Sequence, residues 1–179
     1  SGGRGLPTKT VGKTTVGLSY SNPNRVYALI ETGDGVPYKG QPTDSGQLFR
    51  TDDGGQSWKV VSYDHNAMGR AHYYSRMAVA PDDEDEAYFL TASYAKTIDG
   101  GLTLNVLTRG EAPGGDHHEI WIDPTNANRQ IVGHDQGLSI TTNRELQRAS
   151  DWLSVQSTEI AALQQYGSQL RHEFRRIGT

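Results

Sequence analysis

The eight residues Thr51-Asp52-Asp53-Gly54-Gly55-Gln56-Ser57-Trp58 read as a tight hairpin. Each position has a physical task. Asp53 accepts backbone N–H bonds across the turn, Gly55 supplies a positive φ, and Trp58 packs between neighbouring sheets. The pattern returns as Thr97-Ile98-Asp99-Gly100-Gly101-Leu102-Thr103-Leu104, with only the Trp replaced. A third copy begins as Thr141-Thr142-Asn143 and then departs. A carboxylate held this way is a folding device, so Asp53, Gly55, Trp58, Asp99 and Gly101 are expected to be structural.

Upstream of each hairpin lies a second repeat. VGLSYSNPNRVYALIE from Val16, MAVAPDDEDEAYFLTA from Met77 and IWIDPTNANRQIVGHD from Ile120 superimpose on Tyr20, Pro81 and Pro124. Each is an alternating strand, a polar turn closed by Asn24, Asp85 or Asn128, and a strongly apolar strand carrying Tyr27, Tyr88 or Ile131. Asn and Asp suit such turns because their side chains cap the local backbone. Pro81 to Pro124 is 43 residues, the length of one four-stranded propeller blade. Tyr27 to Asp53 is 26 residues against 11 from Tyr88 to Asp99, so the first unit carries an insertion of about 15 residues around ETGDGVPYKGQPTDS. Its Gly, Pro and Asp predict an exposed loop.

Composition agrees with many short strands joined by tight turns. The 179 residues are 34% hydrophobic, with 21 Gly and nine Tyr. Net charge is −4, and no Lys/Arg run alternates with aromatics, which argues against a nucleic-acid partner. Without cysteine there is no disulfide, thiolate metal site or cysteine nucleophile. The longest apolar runs, such as Val26–Ile30, have strand length, so no membrane-spanning segment is expected, and the N-terminus shows no signal peptide.

GGRGLP, NPNRVYALIE, LFRTDDGGQSW, YYSRMAVAP and GGDHHEIWIDPTNANRQIVGHDQG together resemble bacterial glycosyl-hydrolase-like Asp-box (BNR repeat) propellers. These are related to sortilin-type and xyloglucanase-type β-propellers. The resemblance covers about residues 2–144. It implies a secreted or periplasmic propeller that acts on or binds carbohydrate, or a non-catalytic module that binds carbohydrate or peptide.

The expected fold is therefore all-β: a partial β-propeller of about three four-stranded blades with Asp-box hairpins, plus a C-terminal α-helix. Blade 1 is expected over about 12–62, blade 2 over 73–108 and blade 3 over 117–152. From Glu145 onward nothing resembles a blade. Over 153–179 a helical tail is predicted, capped by Thr158, with Ile160, Leu163, Tyr166, Leu170, Phe174 and Ile177 at steps of three and four. Three blades leave two open flanks, so a homo-oligomer is expected, formed through open blade edges or that helix.

The richest polar cluster is Asp116-His117-His118-Glu119 with His134-Asp135. In the repeat register, residues 131–137 are expected on the strand leading toward the propeller axis. Asp135 paired with Asp116 or Glu119 would suit glycoside hydrolysis, which needs two carboxylates flanking the bond. His117, His118 and His134 are candidate substrate contacts, with a divalent metal at these three as an alternative to no cofactor at all. The plain reading is that they are hydrogen-bonded residues lining a polar channel. Arg70, Tyr73 and Tyr74 form a candidate aromatic and cationic platform for sugar rings. Gly12-Lys13-Thr14 echoes the end of a phosphate loop, but position 7 is Pro where that motif needs Gly.

Overall fold

Among the described residues, twelve short strands joined by tight turns carry the fold. The computed structural model describes residues 4–32, 47–68, 75–108, 111–145 and 152–156. The first sheet comprises β1 (Val11–Leu18), β2 (Val26–Thr32), β3 (Gln47–Thr51) and β4 (Lys59–Ser62). A single helical turn, α1 (His65–Met68), follows. The second sheet is β5 (Arg76–Val79), β6 (Ala87–Leu90), β7 (Tyr94–Thr97) and β8 (Asn105–Leu107). The third is β9 (His117–Ile122), β10 (Gln130–His134), β11 (Gly137–Thr141) and β12 (Leu153–Gln156). Each sheet is an antiparallel meander in sequence order, as alternating strands joined by tight turns dictate.

β1 lies beside β5, and β5 beside β9, so the first strand of each sheet is innermost. This corrects the expectation for residues 131–137. The chain enters each sheet at its inner edge and steps outward, so β9 faces the axis and β10 stands one strand away.

Face-to-face packing of the sheets makes the core. Tyr27, Leu29 and Leu48 of the first sheet bury against Met77, Val79, Ala87, Phe89 and Ala95 of the second. On the second sheet's other face, Tyr88, Leu90, Tyr94 and Leu107 bury against Ile120, Val132 and Trp152. The first sheet's remaining face holds Ala28, Ile30 and Phe49, packed under Leu6, Trp58 and Val60. Trp58 thus lies on its own sheet's outer face beside the N-terminal segment, with its backbone N–H on Arg4 O at 2.7 Å, and not between two neighbouring sheets as expected.

The two Asp hairpins have one geometry. Asp53 Oδ1 accepts from Thr51 Oγ1 at 2.7 Å and from Ser57 N at 2.9 Å, and its Oδ2 accepts from Ser57 Oγ at 2.5 Å. Asp99 repeats the set with Thr97 Oγ1 at 2.8 Å, Thr103 N at 2.9 Å and Thr103 Oγ1 at 2.6 Å. The bonds from Ser57 and Thr51 hold the Asp53 carboxyl well below its ordinary range. Gly101, at φ +90°, shows why a glycine stands there. A Cβ would meet Leu48 Cδ2 of the first sheet at 2.8 Å, so the second hairpin lies directly on its neighbour.

Charge closes the first junction. Arg25 is buried with its guanidinium among Asp52 at 2.5 Å, Asp85 at 2.6 Å and Glu84 at 3.3 Å, and Tyr27 Oη donates to Glu84 O at 2.7 Å. Burial would lower the Arg25 pKa; the bonds from Asp85 and Tyr27 outweigh it.

The third sheet ends differently from expectation. Its fourth strand, β12, occupies residues assigned to the tail, and Trp152 just before it packs edge-on to Tyr94 with centroids 6.1 Å apart. Trp152 stands where Trp58 and Leu104 stand in the other sheets, one residue before the fourth strand. The third hairpin simply carries extra residues between Asn143 and that Trp, which hid the match. Residues 157–179 of the expected helical tail, the platform residues Arg70, Tyr73 and Tyr74, and residues 33–45 of the expected loop lie outside the described residues, while Glu31 and Thr32 at that loop's start belong to β2. Among the described residues no helix is long and apolar enough to cross a membrane.

Candidate functional site

Two of the cluster histidines meet because β9 and β10 are paired. His117 opens β9 and His134 closes β10, and a register shift at Gly133 sets them opposite each other with ring centroids 6.3 Å apart. The approach loop 111–116 folds over this end. Asp135 N donates to Gly115 O at 3.4 Å, and Gly115 N donates to Gln136 Oε1 at 2.9 Å. Gly114, at φ +122°, lies against the His134 ring, where a Cβ would be 2.5 Å from Nδ1, so only glycine lets the loop close this tightly.

His134 is fully engaged. Ser139 Oγ donates to Pro113 O at 2.9 Å and lies 2.8 Å from His134 Nε2, while His134 Nδ1 lies 3.0 Å from Gln136 Oε1 and 3.2 Å from Gln136 N. Burial lowers its pKa, offset in part by Gln136 and Asp135. Ser139 is buried and committed to this chain of bonds, so it is no nucleophile.

His117 is 1% exposed. Its Nδ1 lies 3.3 Å from Thr91 O, and Tyr94 packs edge-on at 5.3 Å. Burial lowers its pKa against the carbonyls of Thr91, Gly114 and Ser93, which favour the charged form. Its Nε2 is buried and has no hydrogen-bond partner among the described residues. His117 also lines a pocket of about 410 Å³, walled by Ser93, Tyr94, Leu107, Thr108, Gly115 and Asp116. The polar lining is rich in acceptors and hydroxyls.

The remaining cluster residues take separate partners. His118 Nε2 holds Asp135 Oδ1 at 2.6 Å in solvent, with Asp135 57% exposed. Glu119, 72% exposed, turns to Arg76 of β5 at 3.8 Å. Asp116 sits at φ +54° in the pocket wall. Among the described residues no group of three or more His, Asp or Glu converges as metal ligands do.

A second concavity, also about 410 Å³, runs along the axial wall beside Val16, Leu18, Tyr20, Met77, Trp121 and Ile122. Its side chains are mainly apolar, with Tyr20 among them. The sequence signal for it was the outward half of each inner strand's alternation, which repeat alignment alone leaves unread. Ser93 and Thr108 were missed because they belong to turns of the second blade, far in sequence from the histidines they face.

No family model matches the chain, and no curated protein matches it. The fold is similar to part of the Niastella koreensis GH74 enzyme, with a TM-score of 0.54 and 18% identity over 80% of this chain and 22% of that one. YCF48 from Cyanidioschyzon merolae aligns with a TM-score of 0.49 and 14% identity over 84% of this chain and 41% of that one. The chain spans about a fifth and two fifths of those two structures. At such identity the first likeness is one of fold, a propeller-like arrangement of blades.

Proposed function

We infer that this chain supplies part of a propeller's ligand-binding face and holds a neutral, hydroxyl-bearing ligand of carbohydrate type in the pocket at His117, without cleaving it. The observation that carries this reading is the open pocket at the end of β9, whose lining brings together Ser93, Thr108, Asp116 and His117. Ser93 and Thr108 can donate to or accept from further hydroxyls, and Asp116 accepts. Glycoside hydrolysis would ask for a desolvated acid beside a second carboxylate. Asp135 instead stands in water against His118, and Glu119 turns to Arg76.

Calorimetric titration with a panel of neutral oligosaccharides tests this, alongside acidic oligosaccharides and peptides as competitors. Ser93→Ala and Thr108→Val should each weaken binding about tenfold, equivalent to one hydrogen bond of about 1.4 kcal/mol, with melting curves kept as a check on folding. Asp135→Asn should bind as the parent does. Turnover of chromogenic glycosides that Asp135→Asn abolishes would replace this reading with hydrolysis by Asp135 and Asp116 or Glu119. Saturable binding of peptides alone would remove the carbohydrate.

A further inference from the structure

We propose that His134 positions one wall of the pocket at His117 by fastening loop 111–116, and that protonating its ring releases that wall. The pocket's two sides have different origins. Ser93, Tyr94, Leu107 and Thr108 come from the second sheet and its turns, while Gly114, Gly115 and Asp116 belong to the loop. The loop's start is held to the second sheet's side, where Glu111 N and Ala112 N donate to Thr108 O at 2.9 and 2.8 Å. Its middle is held to the third sheet by groups gathered around His134. Pro113 O accepts from Ser139 Oγ, which lies 2.8 Å from His134 Nε2. Gly115 N donates to Gln136 Oε1, which lies 3.0 Å from His134 Nδ1. Between these two ties Gly114 rests on the ring itself, where an added Cβ would stand 2.5 Å from Nδ1 and 2.7 Å from Cγ.

His134 is 9% exposed with this loop lying over it. Lifting the loop therefore hydrates the ring, and hydrating the ring moves the pocket wall. A charge on the ring is costly beneath the loop and cheap in water, so a proton favours the lifted arrangement. The charged ring also carries N–H on both nitrogens and cannot accept from Gln136 N, 3.2 Å from Nδ1. The groups facing the ring leave this direction in place. Asp135 beside it favours the proton, and His118 of β9, tied to Asp135, opposes it. His117 stands opposite with ring centroids 6.3 Å apart, and a charge on either ring disfavours one on the other. In the loop, Glu111 is bonded to Thr108 N and Asp116 stands in the pocket wall. β11 carries no ionisable side chain. Burial is the largest influence and holds the His134 pKa below its ordinary value.

Amide hydrogen exchange on the full chain reads the loop with no ligand present. Gly115 should be less protected than Phe89, which is buried in β6, at both about pH 7.5 and about pH 5.5. Its protection, corrected for the intrinsic exchange rate, should fall about tenfold from the higher pH to the lower. His134→Gln should keep Gly115 protection level across that range, while His118→Gln should fall as the parent does. Gly115 as well protected as Phe89 would mean that the loop opens only with the whole fold, and would overturn the proposal. So would unchanged protection in the parent, or the parent's full response in His134→Gln. The consequence for binding rests on the reading of this pocket as a ligand site. The neutral oligosaccharide of the panel that binds most tightly at about pH 7.5 should bind about tenfold more weakly at about pH 5.5, and equally at both in His134→Gln. Equal parent affinity at both values, with Gly115 losing protection, would overturn the role of the loop in the pocket. If no oligosaccharide binds at either pH, the ligand reading fails and the exchange of Gly115 alone decides the loop.

Discussion

The junction between the first and second sheets and that between the second and third are built from the same repeat, yet they satisfy their polar groups differently. At the first, Arg25, Asp52, Glu84, Asp85 and the Tyr27 hydroxyl all find partners within the junction. At the second, Tyr88 Oη donates to Glu86 and accepts from Gln130, and Lys96 and Arg144 hold Glu86, but Tyr94 Oη, Trp152 Nε1 and His117 Nε2 have no hydrogen-bond partner among the described residues. Burial raises the Tyr94 pKa well beyond the ordinary tyrosine range, so its hydroxyl stays protonated. The first junction closes on charge: Arg25 Nε and Arg50 Nε, which lack hydrogen-bond geometry, stand 2.5 Å and 3.2 Å from Asp52. The second leaves neutral buried groups without partners and borders an open pocket.

Removing Arg25 attacks the closed junction at its centre and should have the largest effect. Arg25→Ala leaves three acids facing one another. Its guanidinium is buried while its partners are partly exposed, so the loss should be about 2–3 kcal/mol, below the full cost of breaking a fully buried pair. Urea denaturation reads it, and a loss under about 0.5 kcal/mol would show that the charges are not what closes that junction.

A matched pair of tyrosines sharpens the contrast. Tyr27→Phe deletes a hydroxyl that donates to Glu84 O at 2.7 Å and accepts from Arg25 at 3.2 Å, and should cost about 1–2 kcal/mol. Tyr94→Phe deletes a buried hydroxyl with no such partner, and should be neutral or stabilising by up to about 1 kcal/mol. Equal losses in the two variants would erase the distinction between the junctions.

The Asp hairpins bind the rim of both blades and should matter to stability alone. Asp99→Ala strands the Thr103 N–H and the hydroxyls of Thr103 and of buried Thr97, a loss of about 1–3 kcal/mol. Asp53→Ala should lower the melting temperature in the same direction. Neither should change a binding constant measured on folded protein; a loss of binding with the melting curve intact would make the hairpins functional.

Acidification should weaken the second junction, with the smallest effect. His117 and His134 are held below the ordinary value of 6.5, chiefly by burial. Asp135 and Gln136 favour His134 charged, while His118 opposes it. As pH falls through that value the unfolded chain takes up protons that the folded chain refuses, so stability drops between about pH 7 and about pH 5. The Asp53 and Asp99 carboxyls are held below their ordinary range, so their contribution is intact above the unfolded carboxylate value and is lost only as pH falls further. Replacing both histidines by Gln should flatten the upper part of the curve, read as melting midpoint against pH.

Local chemistry made much of this molecule legible from its residues. A Thr, an Asp and a Gly at fixed spacing close a hairpin wherever they occur, and alternation around an Asn or Asp turn makes a pair of strands, so the repeat, the three sheets and both Asp hairpins could be read in the chain. The grouping of His117, His118, His134 and Asp135 in one cluster was legible too, but which of them pair was not, because a register shift at Gly133 sets His117 opposite His134. Three features needed the tertiary structure. β12 was hidden because a longer hairpin separates Asn143 from Trp152, and spacing rules fail when a turn lengthens while its strand still finds an edge to pair with. Which strand stands at the axis depends on how the sheets pack against one another, which no alternation pattern encodes. The pocket at His117 depends on turns from the second blade meeting a loop of the third, and a buried nitrogen is known to lack a partner only when everything around it has been placed.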